Sequence, residues 1–185
     1  MKRLFVSLLV SIYMCLSACA VNDFFGFSQH AFSGEQYFLK WSTTMTDSVY
    51  IEDFLPHNAS FTRFPTKLSF SLLKNHSFER VVGEKMVEID NGRMAGSVMD
   101  MKNLVISDNE VISSYVSELS QGGVTMVVQF SVFRFVRRGN DVIIFEWVRR
   151  EYKDAEKFKK LVSEKRDEWV RQVVDTDLSI VSLVK

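Results

Sequence analysis

Lys67-Leu68-Ser69-Phe70-Ser71-Leu72-Leu73 alternates apolar Leu68, Phe70 and Leu72 with Lys67, Ser69 and Ser71. A period of two is the pattern of a strand with one buried face. Upstream, residues 37–44 put Tyr37, Leu39 and Trp41 on one face. Residues 48–55 follow through Thr46-Asp47, and Pro56-His57-Asn58 ends them. Both segments read as strands.

Downstream the period changes. Phe78, Val81, Val82, Met86 and Ile89 fall at helical spacing over residues 77–89. Ser77 is placed to cap that helix, and Asn91-Gly92 to stop it. Residues 90–102 read as a loop with two glycines and three methionines, and residues 104–106 as a short strand. A meander follows over 111–119 and 124–137, turned at Gln121-Gly122-Gly123. The adjoining apolar pair Val132-Phe133 suggests a bulge. Residues 142–148 are apolar on both faces except at Glu146, as in a central strand covered on both sides. Residues 154–174 form an amphipathic helix with Ala155, Phe158, Leu161, Val162 and Trp169 on one stripe and Asp154 as its cap. Residues 178–184 read as a closing strand.

Strands in runs separated by helices predict an α+β fold: an antiparallel β-sheet with two helices packed on it. The element order is similar to that of the photosystem-associated PsbP-like proteins, an analogy of order alone. Ile51-Glu52-Asp53-Phe54-Leu55-Pro56, Phe145-Glu146-Trp147-Val148-Arg149 and Glu168-Trp169 resemble segments of small secreted bacterial proteins that carry no established activity.

The N-terminus gives the address. Met1-Lys2-Arg3 is a basic start, residues 4–16 are mostly apolar, and Leu16-Ser17-Ala18 supplies small residues before Cys19. Those are the parts of a secretory signal peptide. The run is too short to span a bilayer, which takes about 20 apolar residues. Leu16-Ser17-Ala18-Cys19 also resembles the lipobox of bacterial lipoproteins. The resemblance implies cleavage before Cys19, a diacylglycerol thioether-linked to its sulfur and often an acyl chain on its new amino group. The simpler alternative is an ordinary secretory peptide cut after Ala18 or Ala20. Ala20, where the enterobacterial pattern puts aspartate for inner-membrane retention, implies the outer membrane. The expected domains are a signal peptide over 1–18, a lipidated tether over 19–35 and a single α+β domain over 36–185. Phe24, Phe25, Phe27 and Phe32 are unusual in a tether and are expected to dock on the domain or lie at the lipid interface.

Composition narrows the function classes. Sixteen Phe, two Pro and 46% hydrophobic residues suit a packed core. Lys+Arg and Asp+Glu are 23 each, so no strong field draws the chain to nucleic acid. The two cysteines are Cys15, inside the signal peptide, and Cys19. The mature domain is therefore left with no disulfide, thiolate ligand or cysteine nucleophile.

The remaining constellations are weak. His30, His57 and His76 fall in loops and termini, and no hydrolase or metalloprotease motif accompanies them. Met86, Met94, Met99 and Met101 suit either a soft-metal site or gap filling on the sheet. Arg134, Arg137, Arg138, Arg149 and Arg150 suit either an anionic-lipid patch or a solvated face balanced by Glu146, Glu151 and Asp154. No catalytic residue, cofactor or metal site is assigned, and the lipidation site is Cys19. The expected function is a non-enzymatic binding or assembly module of the bacterial envelope. It is held by acyl chains on Cys19 at the periplasmic face of the outer membrane, with an envelope protein as partner. The alternative is a carrier of a hydrophobic ligand or lipid in a phenylalanine-lined cavity.

Overall fold

The computed structural model describes residues 21–121 and 124–184. Among them the order is β1 (Gln29–Phe32), β2 (Glu35–Thr46), β3 (Val49–Pro56), β4 (Thr66–Leu73), α1 (Phe78–Met94), β5 (Val98–Ser107), β6 (Glu110–Gln121), β7 (Val124–Arg138), β8 (Asp141–Glu151) and α2 (Ala155–Val174). The strands form one antiparallel sheet in the order β1-β2-β3-β4-β8-β7-β6-β5. Two four-stranded meanders therefore meet at β4 and β8, where Leu68 pairs with Trp147 and Phe70 with Phe145. The fold is α+β.

Alternation sorts the side chains onto two faces. Leu68, Phe70, Phe130, Val132, Ile143, Phe145 and Trp147 share one face and pack against Phe158, Val162, Trp169 and Val173 of α2. Tyr115, Phe133, Phe135 and Val142 share the other, under Phe78, Val81 and Ile89 of α1. The helices thus cover opposite faces. Val132 and Phe133 adjoin because each meets a different helix layer, not because the strand bulges. Pairing runs unbroken through them on both sides, and the β6–β7 slip falls at Leu119/Ser120. Val142 to Val148 lies in central β8, with buried residues on both faces.

Three segments differ from the sequence expectation. Helix α1 starts as expected, with Ser77 accepting from the Arg80 amide at 3.3 Å. It then runs through Asn91-Gly92 to Met94. Gly92 serves close approach rather than termination: a Cβ there would meet Val98 Cγ2 at 2.7 Å. The expected loop over 90–102 becomes the end of α1 and the start of β5. β5 bulges between Met99 and Lys102, with Asp100 at φ 49°. Arg166 of α2, 2% exposed, holds that bulge, donating to Asp100 Oδ1 at 3.1 Å and to its carbonyl at 2.5 Å.

The expected closing strand over 178–184 is irregular chain instead. Leu178 and Val181 enter the core, while their carbonyls accept from Arg138 rather than from a strand. Residues 29–32, expected within the tether, pair with residues 35–38 as β1.

The Gly92 contact gives a stability prediction. Gly92→Val should lower unfolding free energy by about 2 kcal/mol, the range for overpacking. Val98→Ala in the same chain should recover part of it. Denaturant titration checks this, and an unchanged midpoint for Gly92→Val contradicts the contact.

Candidate functional site

The segment ahead of β1 is a docked strap. Its amides are satisfied by acidic side chains and a serine. Asp23 Oδ1 accepts from the Gly26 and Phe27 amides at 2.6 and 2.9 Å, closing a turn with Gly26 at φ 79°. The Asn22 amide donates to Ser42 Oγ at 2.7 Å. The Phe24 carbonyl accepts from the Val184 amide at 2.8 Å, tying the two ends of the described chain together. Rings complete the docking. Phe27 stacks on Phe54 at 5.4 Å and meets Phe70 edge-on at 5.3 Å, and Phe24 meets Tyr50 edge-on at 5.5 Å. Phe32 packs on Phe145 and Trp147.

Glu52 of β3 is the polar centre of this docking and is fully buried. Its Oε1 accepts from the amides of Phe24 and Phe25, while Oε2 is buried with no partner. Burial raises its pKa from 4.5 to about 7, against the lowering effect of the Phe24 and Phe25 amides, and the Asp23 charge adds to the rise. Burial against Phe27 and Phe70 lowers the pKa of His30.

The opposite face carries a charged group between its two apolar patches. Lys67 Nζ lies 3.3 Å from Glu146 Oε2 and 3.5 Å from Asp53 Oδ1. Burial lowers the lysine pKa, but the two carboxylates outweigh it and hold the pKa above the ordinary value. A lysine so held stays protonated and cannot serve as a base or nucleophile. Glu146 also helps burial push the Tyr115 hydroxyl up to about 12. Beside this group, Arg150 donates to Gln129 at 2.7 Å and covers the Phe64 ring at 4.0 Å. A groove of about 330 Å³ is lined by Ser97, Ser117, Gln129 and Arg150, among others.

The structure disperses the sequence candidates. His57 lies against Phe38, and His76 is 3.4 Å from Ser48 Oγ. No group of three His, Cys, Asp or Glu side chains suited to a metal forms among the described residues. Met86 and Met101 pack toward α1's face and Met99 toward α2's, while Met94 is exposed. They make no common thioether site. The five arginines divide between faces and partners. Arg134 takes Glu110 and the carbonyls of Val173 and Thr176, and Arg137 takes Glu79. Arg138 takes the carbonyls at 178 and 181, and Arg149 covers Trp169. Leu16 to Cys19, with the cleavage and acylation expectations, lies outside the described residues.

What remains open is an edge. β5 is ten residues long and is paired on one side only, by β6. Leu104, Val105 and Ile106 are consecutive and exposed, Val105 at 69%. Edge strands are usually short, charged, bulged or covered. The other edge follows that rule: β1 has four residues, and β2 beyond it slips register at 39/41 and 44/46. β5 carries Asp100 and Lys102 and slips register at 99/102 and 105/107, but its outer half, from Asn103 to Ser107, has no charge. The sequence predicts a short strand over residues 104–106, and which strand lies at a sheet's edge is set by pairing that sequence does not show.

A protein-family model matches residues 28–178. The chain belongs to that family. No curated protein matches it. Two solved structures have low similarity to it. PA94 of Pseudomonas aeruginosa, a protein of unknown function, is 13% identical, with 81% of this chain and 94% of that chain covered and a TM-score of 0.34. A STAR-related lipid transfer protein fragment from Xanthomonas axonopodis is 8% identical, with 72% and 93% covered and a TM-score of 0.26. At those values neither likeness bears on what this chain does. No helix among the described residues is long and apolar enough to cross a membrane.

Glu52 sets a pH dependence. A carboxyl that titrates near 4.5 unfolded and at about 7 folded favours the fold when protonated. Its stabilisation is full below pH 4.5, declines as pH rises to about 7 and is flat above. Glu52→Gln should remove that decline, of order 3 kcal/mol. Unfolding free energies of both forms between pH 4 and pH 8 measure it, and parallel curves contradict it.

Proposed function

We propose that the chain is a lipid-anchored, non-enzymatic envelope protein that binds or helps assemble a partner through the free edge of β5. The anchor is the acylated Cys19, and the place is the periplasmic face of the outer membrane. One observation carries the binding role: a ten-residue edge strand, slipped against β6 at 99/102 and 105/107, that still presents three consecutive exposed apolar residues at its outer end. An extended segment of another envelope protein would add to it as a further strand. Main-chain hydrogen bonds would supply affinity, and the side chains of Leu104, Val105 and Ile106 would supply preference.

A hydrophobic carrier would need its phenylalanines to line a space. Here Phe27, Phe54, Phe70 and Phe145 meet ring on ring, as do Tyr115, Phe133 and Phe135. That packing favours the partner-binding role.

A photo-crosslinking residue at Val105, in cells carrying the full chain, tests the proposal. It should give a discrete product with another envelope protein, lost when Ile106→Lys is added. The same residue at Val87, exposed on α1, should give none. Equal products from 105 and 87 contradict the β5 role. Separately, Cys19→Ser should move the protein from the membrane to the soluble fraction. Unchanged fractionation contradicts the anchor.

A further inference from the structure

We infer that the acylated protein lies against the bilayer with the outer half of β2, Ser42 to Thr46, in the lipid headgroup layer. This rests on the lipid anchor proposed above and adds an orientation to it. The strap supplies the reason. A tether over 19–35 would let the domain range widely, since an extended chain reaches about 3.3–3.6 Å per residue. Yet the strap is fixed to the fold from Asn22 onward, by Ser42, Glu52 and the ring contacts of Phe24 and Phe27. Three peptide units separate Asn22 from Cys19. Their full reach is about 11 Å. The headgroup region on each side of the hydrocarbon is itself about 5–8 Å deep. Acyl chains in the hydrocarbon therefore bring Asn22, and the strand it is bonded to, to the headgroups.

The strand that meets them is identified by the sheet. β1 pairs with β2 only over residues 35–38, so β2 is the edge from Trp41 to Thr46. The strap reaches that edge from β3, passing Glu52 and then Ser42. The exposed side chains at the end of β2 are Thr44, Met45 and Thr46, with Met45 70% exposed. This end is hydroxyl-rich, with one apolar side chain and no basic residue between Trp41 and Asp47. It suits a zwitterionic headgroup layer, and contact should not depend on anionic lipid or on salt. β5 lies six strands away, at about 4.8 Å per strand, on the side turned from the membrane.

The test uses the acylated full chain, purified from membranes into phosphatidylcholine vesicles. An environment-sensitive fluorophore is placed on Met45→Cys or on Val105→Cys, the Cys19 sulfur being blocked by its lipid. Headgroup spin-labelled lipid should quench residue 45 several-fold more than residue 105, at low and high salt alike. A flexible Gly-Ser spacer of about twelve residues, inserted between Ala20 and Val21, should bring quenching at 45 down to the level at 105 without releasing the protein from vesicles. With lipid on Cys19 confirmed by intact mass, equal quenching at 45 and 105, or quenching at 45 that survives the spacer, overturns the orientation alone. Intact mass without lipid overturns the anchor and the orientation together.

Discussion

A buried carboxylate holding two backbone amides is the constraint on which the arrangement depends. Glu52 sits inside the sheet's α2-side layer, where a polar group is costly unless it is hydrogen-bonded. What it organises is the strap. Ordering a residue costs about 1–2 kcal/mol, and burying a phenylalanine returns about 2–3 kcal/mol. A segment with rings at 24, 25, 27 and 32 among many small and polar residues buries too little apolar surface to dock by its rings alone. Hydrogen bonds from Phe24, Phe25, Gly26 and Phe27 to Glu52 and Asp23 then decide whether it is bound. The strap in turn covers Phe54 and Phe70, which stand beside the β4–β8 junction of the two meanders.

The two sheet faces solve different problems. One is covered by the strap, α2 and the irregular C-terminal segment, with Arg166 and Arg138 reaching in to satisfy carbonyls that no strand pairs. The other is covered by α1 at one end and by the Leu55–Phe64–Val148 cluster elsewhere. Between these two patches, Lys67 is shared by Asp53 and Glu146. The ion group stands where neither apolar patch reaches, so partial exposure and mutual pairing keep it tolerable. The two edges differ in the same way. Both are bulged, but one begins with a four-residue strand and lies by the strap, and the other is ten residues long and ends in exposed Leu104, Val105 and Ile106.

Much of the fold was legible because period-two alternation is a local signal. Residues 37–44, 67–73, 111–119, 124–137 and 142–148 fall inside observed strands, and 48–55 does so from Val49 onward. Both helix caps, Ser77 and Asp154, were legible for the same reason. The failures are non-local. Asn91-Gly92 looks like a stop, but Gly92 answers to Val98 across a gap that sequence does not reveal. Residues 178–184 look like a strand, but Arg138 of β7 takes the carbonyls of Leu178 and Val181. The aromatic strap was legible as something that docks. Its latch was not, because Glu52 reads as the polar side of an alternating strand until the strap is seen lying over it.

The amides of Phe24 and Phe25 report most directly on whether the strap belongs to the folded body. Hydrogen exchange on the full chain measures them, with the β3 amides as the reference. Protection at 24 and 25 comparable to that of β3, and weaker in Glu52→Ala, is the expected result. Exchange at both amides at the rate of an unstructured peptide, in a chain whose β3 stays protected, would show that the strap is loose and the short anchor illusory.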